Sequence, residues 1–353
     1  MTLTGFRAVL FKAPPSRGLM MKRHIVALVA GAGLILASAV SVDSAGAART
    51  AVAHSVRAQS VTSKQLRVSA APLPTPEALT PFRGTRYKGE GVWRAAGRLV
   101  AGRAAVYTTS IRLPGTSGVE VGIAWMDTKL LRARLYSGSL SPGGQFWEYT
   151  APISPSASRT LVAAFNGGFL MKDTKGGYFS EGHLVAPLRA GGASLVIYRN
   201  GFATVGQWGR DVGMTPNVVA VRQNLTLLVD KGRPVRGLNP ADTSTWGSAL
   251  GQVVNTPRSA LGVTKNGALV YVEGPMNIVD LAEILVRAGA IRAMPLDMNP
   301  FWTVFATYSP QSSNGPASPA NGRDLLATMV QPPGRFFESW DTRDFVTMSV
   351  QPS

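Results

Sequence analysis

The sequence predicts an α+β fold: a twisted, mixed but largely antiparallel sheet with few helices. Three observations lead there. Apolar runs are short and bounded by turn residues, and two pairs of them flank Arg199-Asn200-Gly201 and Lys265-Asn266-Gly267, where Asn-Gly favours a hairpin. One stretch, Ile278 to Ala288, carries a clear helical period. The chain has 353 residues, is 45% hydrophobic and contains no cysteine, so its core forms without disulfides.

Residues 1–47 read as an export signal. Met20-Met21-Lys22-Arg23-His24 is a basic start, Ile25 to Val40 an apolar stretch, and Ala45-Gly46-Ala47 a small-residue cleavage site. If left uncut, the same segment would act as an anchor. Residues 48–80, with alternating Pro72, Pro74 and Pro76, read as an extended linker. The globular part is expected over 81–353, secreted or otherwise extracytoplasmic, with membrane contact only through the N-terminal segment.

Within it, Val119 to Asp127 alternates as a half-buried strand does, and Leu161 to Phe165 is a strand stopped by Asn166-Gly167-Gly168. Ala193–Tyr198 pairs with Ala203–Val205, and Leu261–Thr264 with Ala268–Val272. Val218–Val221 and Leu225–Val229 are expected to form a further pair around Arg222-Gln223-Asn224. Asn277 is a suitable N-cap with Asp280 three residues on; Ile278, Leu281, Ala282, Leu285 and Ala288 make the apolar face, and Gly289 suits the C-terminus. A short apolar strand then ends at Asp297. Residues 309–322 read as an exposed loop, and the tail offers Phe336, Phe337, Trp340, Phe345 and Val346 for packing.

The formal charge is +17 without a long Lys/Arg block. Spread thinly, that excess reads either as a solvated surface or as attraction to an anionic partner such as a phosphate-bearing envelope glycan or an acidic lipid, and no nucleic-acid motif accompanies it. With no cysteine, and with His24 and His54 in or near the leader, only His183 remains; thiol chemistry and multi-histidine zinc sites are excluded. The sequence requires no cofactor; a divalent cation is conceivable but nothing identifies a metal ligand set.

The residues able to carry chemistry are few. Asn166-Gly167-Gly168 follows a strand directly, so backbone could approach a ligand closely there. Arg258, after Pro257 and just before a strand, could hold a phosphate or carboxylate through paired hydrogen bonds. Asp297 ends a strand, and Glu273 could stand beside it; two carboxylates at one cleft are the minimum for glycoside hydrolysis. Asp173, Glu181 and Asp211 sit near glycine-rich turns and read as turn-formers, and His183 as a loop histidine. Of seven tryptophans, one or two could stack on a sugar ring.

Taken in order, Asn166-Gly167-Gly168-Phe169, the hairpins, Pro257-Arg258-Ser259 with Gly262, the helix, and Leu296-Asp297 resemble the phosphodiester glycosidase domain family over about residues 85–350. Gly89-Glu90-Gly91-Val92-Trp93, Ala124-Trp125-Met126-Asp127, Gly176-Gly177-Tyr178 and Arg222-Gln223-Asn224 resemble an actinobacterial exported subgroup. The resemblance implies a phosphodiester-glycosidase-like fold and hydrolysis of a bond between an anomeric carbon and a phosphodiester oxygen. Its implied catalytic group is Asp297, Arg258 and Glu273, with Asn166, Gly167 and Gly168 binding substrate. One departure matters: the family's Gly-Gly-Gly-Ser-Ser after Leu-Asp is here Met298-Asn299-Pro300-Phe301-Trp302. Asn299 and Trp302 are therefore expected to reshape the pocket. Either the chain hydrolyses glycosyl phosphodiesters in envelope glycans, or it keeps the fold to bind anionic glycans without catalysis.

Overall fold

A computed structural model describes residues 71–82, 87–115, 118–144, 146–248, 254–338 and 341–352. The export signal at 1–47, linker residues 48–70 and Trp340 lie outside the described residues.

Three antiparallel sheets share one core. The largest has eight strands, in the order β1 (Arg94–Val100), β2 (Arg103–Arg112), β3 (Glu120–Met126), β14 (Leu269–Met276), β13 (Thr256–Thr264), β15 (Ala290–Pro295), β11 (Val229–Asp230) and β12 (Arg233–Pro234). A second, of five strands, runs β7 (His183–Ala186), β6 (Tyr178–Ser180), β10 (Val218–Gln223), β8 (Ala193–Tyr198), β9 (Ala203–Gln207). A third runs β17 (Gly322–Asp324), β16 (Phe305–Tyr308), β5 (Leu161–Asn166), β18 (Phe345–Val350), β4 (Leu131–Tyr136). Among the described residues, parallel pairing occurs only as isolated bridges such as Ser137–Thr150. Two four-residue helices, α1 (Pro155–Ser158) and α2 (Thr243–Trp246), and one of ten, α3 (Ile278–Arg287), complete it. The α+β expectation with few helices is met.

Strand alternation explains the layering. On β13 and β14, Leu261, Val263, Leu269 and Tyr271 face a cluster shared with Phe165, Leu195 and Val346 of the other two sheets. Their neighbours Ala260, Val270 and Val272 face the opposite way, onto Ile278, Leu281 and Leu285 of α3. Each such aliphatic side chain, fully buried, contributes about 1.5–3 kcal/mol. The Asn277 carboxamide caps α3 by accepting from Val279 N (2.9 Å) and Asp280 N (3.0 Å), and Gly289 follows at φ +86°.

Both Asn-Gly hairpins form, as β8–β9 and β13–β14. Two expectations need correction. The pair proposed around Arg222-Gln223-Asn224 does not exist: β10 runs through Gln223 between β6 and β8, and of the second run only Val229 enters a strand, β11, beside β15. Those three polar residues are buried, and the Gln223 and Asn224 side chains tie other segments together, so they make no exposed turn. The linker also ends early. Residues 71–80 lie on the domain, with Leu73 and Leu79 buried, Leu73 N donating to Asp127 Oδ2 (2.8 Å) and Leu79 N to Gly91 O (2.9 Å).

Candidate functional site

A cleft of about 580 Å³ lies beyond the end of β15 and is lined by Asp297, Asn299 and Arg343 together with Lys172, Asp173 and Lys175. Phe169 and Leu225 supply apolar wall, and α2 with the serines beside it closes another side. Two lysines and an arginine around two aspartates make a mixed but cation-rich lining.

A β-bulge aims Asp297 into this cleft. Ser259 accepts from Leu296 N (2.8 Å) yet donates to Asp297 O (2.7 Å), so two residues of one strand face one of the other. Regular pairing would have set Asp297 opposite Arg258. Instead the bulge turns it to the face of Ser259, whose Oγ accepts from Asp297 N (3.2 Å). Pro295, which has no N–H to give the ladder, sits opposite Ala260 at the last regular position.

The carboxylate is 4% exposed and fully engaged. Oδ1 accepts from Met298 N (2.7 Å) and Asn299 N (3.0 Å), and Oδ2 from Arg343 Nη2. Burial raises its pKa to about 6, against the pull of Arg343 and the two amides. The turn after Asp297 thus turns its first two backbone N–H groups onto the Asp297 carboxylate itself. Its stiffness comes from Asn299, whose Oδ1 accepts from Phe301 N (3.0 Å), and from Met298 packed on Phe169 and Leu225.

Arg343 was missed in the sequence. Nη2 also donates to Gly168 O (3.1 Å), and its Cζ lies 4.9 Å from the Trp302 ring centroid, with Arg335 at 4.7 Å. Arg335 in turn grips Asp341 with Nε at 3.1 Å and Nη2 at 2.8 Å. Beside this lies a second buried pair, Arg222 Nε with Asp344 Oδ2 at 2.7 Å. The available signal was Asp341-Thr342-Arg343-Asp344, a charged run just before an apolar terminal strand.

The other expected residues are placed differently. Arg258 lies within β13, opposite Gly274, not before the strand. Alternation puts it on the α3 face with Ala260; Nε donates to Met276 O (3.0 Å), it does not line the cleft, and burial lowers its pKa to about 10. Glu273 is fully buried and does not line the cleft, with its pKa well above the ordinary value because of burial first and Asp324 in addition. Its Oε2 is 3.0 Å from Tyr271 Oη, which donates to Asn166 Oδ1 at 2.7 Å. The tyrosine has one hydrogen, so a protonated Glu273 donates to Tyr271 and Tyr271 to Asn166. Asn166 also accepts from Val304 N (3.2 Å) and donates to Gly167 O (2.8 Å) and Ser259 Oγ (3.0 Å), which leaves it a clamp between β5 and β13.

Gly167 and Gly168 are small for the same internal reason. A Cβ on Gly167 would stand 2.1 Å from Asp344 Oδ2, and one on Gly168 2.9 Å from Arg222 Cζ. They make room for the buried ion pair. Gly262 lets β13 approach Ala290, 2.8 Å from an added Cβ. Trp302 is half-buried under two guanidiniums and, like Phe301, does not line the cleft, so the cleft is not filled by aromatic side chains. Of the expected site residues, the structure brings Asp297 and Asn299 to the cleft. Glu181 accepts from Glu148 N and Tyr149 N, Asp211 pairs with Arg210, and His183 packs on Phe146 at 4.5 Å, all away from it. Among the described residues no three of His, Asp and Glu cluster as metal ligands, and no helix is long and apolar enough to cross a membrane.

The family described as phosphodiester glycosidase matches residues 159–297, ending on Asp297. The resemblance carried by the motifs is borne out over that segment. The chain is similar to the zebrafish N-acetylglucosamine-1-phosphodiester alpha-N-acetylglucosaminidase catalytic domain, solved auto-inhibited by its pro-peptide: 16% identity, TM-score 0.44, with 74% of this chain and 88% of that one covered. It is also similar to a hypothetical protein from Synechocystis (14%, TM-score 0.39, 70% and 63% covered) and to a Burkholderia pseudomallei protein described as exported (14%, 0.38, 67% and 75%). No curated protein matches the chain.

Proposed function

We propose that this chain, whose residues 159–297 match the phosphodiester glycosidase family, is an exported hydrolase of glycosyl phosphodiesters in envelope glycans. The observation that carries the reading is Asp297, the last residue of the matched segment, set in the cleft among Arg343, Lys172 and Lys175. Water adds at the anomeric carbon, the bond from that carbon to the phosphodiester oxygen breaks, and a reducing sugar and a phosphate monoester leave. The leaving group is already a stable anion, so it needs cations more than a proton donor. Lys172 and Arg343 hold the phosphate, and the ionised Asp297 stabilises positive charge developing at the anomeric carbon. Export rests on the leader read in the sequence. A binding role without turnover is the second reading, favoured by the engagement of both Asp297 oxygens.

The test is release of reducing sugar by the purified protein from a panel of α- and β-sugar-1-phosphate methyl diesters in ¹⁸O-water. The label is expected in the sugar, because the C–O bond breaks; label in the phosphate would refute the assignment. Asp297→Asn should lower turnover by at least about a hundredfold, the scale of one charge-stabilising group. The rate should rise with pH through about 6 as Asp297 ionises. No release from any diester leaves the binding reading; Asp297→Asn with wild-type turnover removes Asp297 from the catalytic step.

A further inference from the structure

Three buried arginines, Arg222, Arg335 and Arg343, bond to Phe169 O, Phe301 O and Asp297 respectively, and they differ in how their donors are used. Arg222 spends Nε on Asp344, Nη1 on Thr174 Oγ1 (2.9 Å) and Gln223 O (2.7 Å), and Nη2 on Phe169 O and Asp344. Arg335 holds Asp341 through Nε and Nη2 together. Arg343 does not match them: Nη2 divides itself between Asp297 Oδ2 and Gly168 O, while Nε is buried with no acceptor. A guanidinium recognises a carboxylate or phosphate best through two parallel N–H groups, and a buried donor left unmade is costly. Arg343 is 7% exposed, lines the cleft, and lies against the Trp302 ring, a flat surface over which a guanidinium can shift while keeping its cation–π contact.

We propose that Arg343 is an exchangeable clamp: it covers Asp297 in the anion-free protein, and a phosphate in the cleft draws it away into a paired Nε and Nη2 contact that uncovers Asp297 Oδ2. This rests on the reading of the cleft as a phosphodiester site and adds its regulation. The Asp297 carboxylate and the ligand phosphate compete for one guanidinium. Asp297 is therefore held covered until a phosphate-bearing ligand is seated, and Lys172, exposed in the same cleft, draws the anion in.

Competition makes an unusual demand on binding. Removing Asp297 should tighten the affinity for inorganic phosphate, measured by calorimetry, by about tenfold or more, equivalent to about 1.4 kcal/mol. Asp173→Asn removes an exposed charge from the same cleft and reports the general effect of charge, expected to be threefold or less, about the scale of a solvent-screened charge. Arg343→Lys keeps the charge, loses the paired donors and should lose phosphate binding. In the wild-type protein, the ¹⁵N resonance of Arg343 Nε–H should move downfield with phosphate as the orphaned donor gains an acceptor. Equal tightening in Asp297→Asn and Asp173→Asn overturns the clamp, as does an unmoved Nε resonance or full binding by Arg343→Lys. Phosphate binding that follows this pattern without sugar release sinks the hydrolase reading alone; hydrolysis without the pattern sinks the clamp alone.

Discussion

Glu273 shows how one side chain can carry a titration that stabilises the fold without touching the cleft. It is fully buried, Oε1 has no partner, and Asp324 contributes a second orphaned oxygen nearby with its pKa raised to about 6. Burial holds the Glu273 pKa well above 4.5 in the folded chain, so the native state binds the proton more tightly than the unfolded chain does. The stability gained is complete below the unfolded value near 4.5 and is lost as pH rises through the raised native one. Glu273→Gln keeps the shape and a donor for Tyr271 but cannot ionise. Urea midpoints at pH 5 and pH 9 should fall for the wild type and change less for Glu273→Gln; parallel falls would show that Glu273 is not the titrating group. Asp297 was legible because it closes an apolar strand. Arg258 was misplaced because a one-residue bulge at Ser259 decides which face Asp297 takes, and residue spacing does not record a bulge. Arg343 contacts Asp297 across 46 positions of sequence, a distance that no local pattern spans.

At the scale of elements, what could be read locally was read well. Gly201 and Gly267 take positive φ in their turns while Asn200 Oδ1 accepts from Phe202 N (3.0 Å) and Asn266 Oδ1 from Thr264 Oγ1 (2.5 Å), and α3 announces itself by its cap and its apolar face. Arg222-Gln223-Asn224 failed because polarity there serves the interior: Asn224 donates to Pro295 O (2.9 Å) and Leu296 O (2.7 Å), holding the strand that delivers Asp297. The α3 cap offers a clean measurement, since Asn277 satisfies two first-turn amides and its Nδ2 donates to Asp280 Oδ2 (2.7 Å). Asn277→Ala should lower stability by about 1 kcal/mol, a fall of roughly 2–4 °C in melting temperature for a domain of this size. An unchanged melting curve would mean that the packing of Leu281 and Leu285 alone sets the helix start.

For the whole molecule, the question is where the folded body begins. Composition placed that change at 81, since Pro72, Pro74 and Pro76 favour extended backbone and say nothing about what it lies against. The structure shows an extended segment that is nevertheless packed. Trp93 Nε1 donates to Glu77 O (2.8 Å), Arg287 of α3 sits 4.1 Å from the Phe82 ring centroid, and Leu79 joins the cluster of Ile111, Trp125 and Ile284. Gly91 is required at that contact, for a Cβ there would stand 2.2 Å from Leu79 O. The segment therefore covers the edge of the α3 layer, and its stability is coupled to the sheet beneath. Leu79→Ala removes a buried side chain that the clustered neighbours cannot replace, and should cost about 2–3 kcal/mol, within the range for leucine truncation in a core. The check is the denaturant midpoint at constant slope, which separates lost stability from a changed unfolded state. A tether would tolerate the substitution unchanged, and that result would return the domain boundary to residue 81.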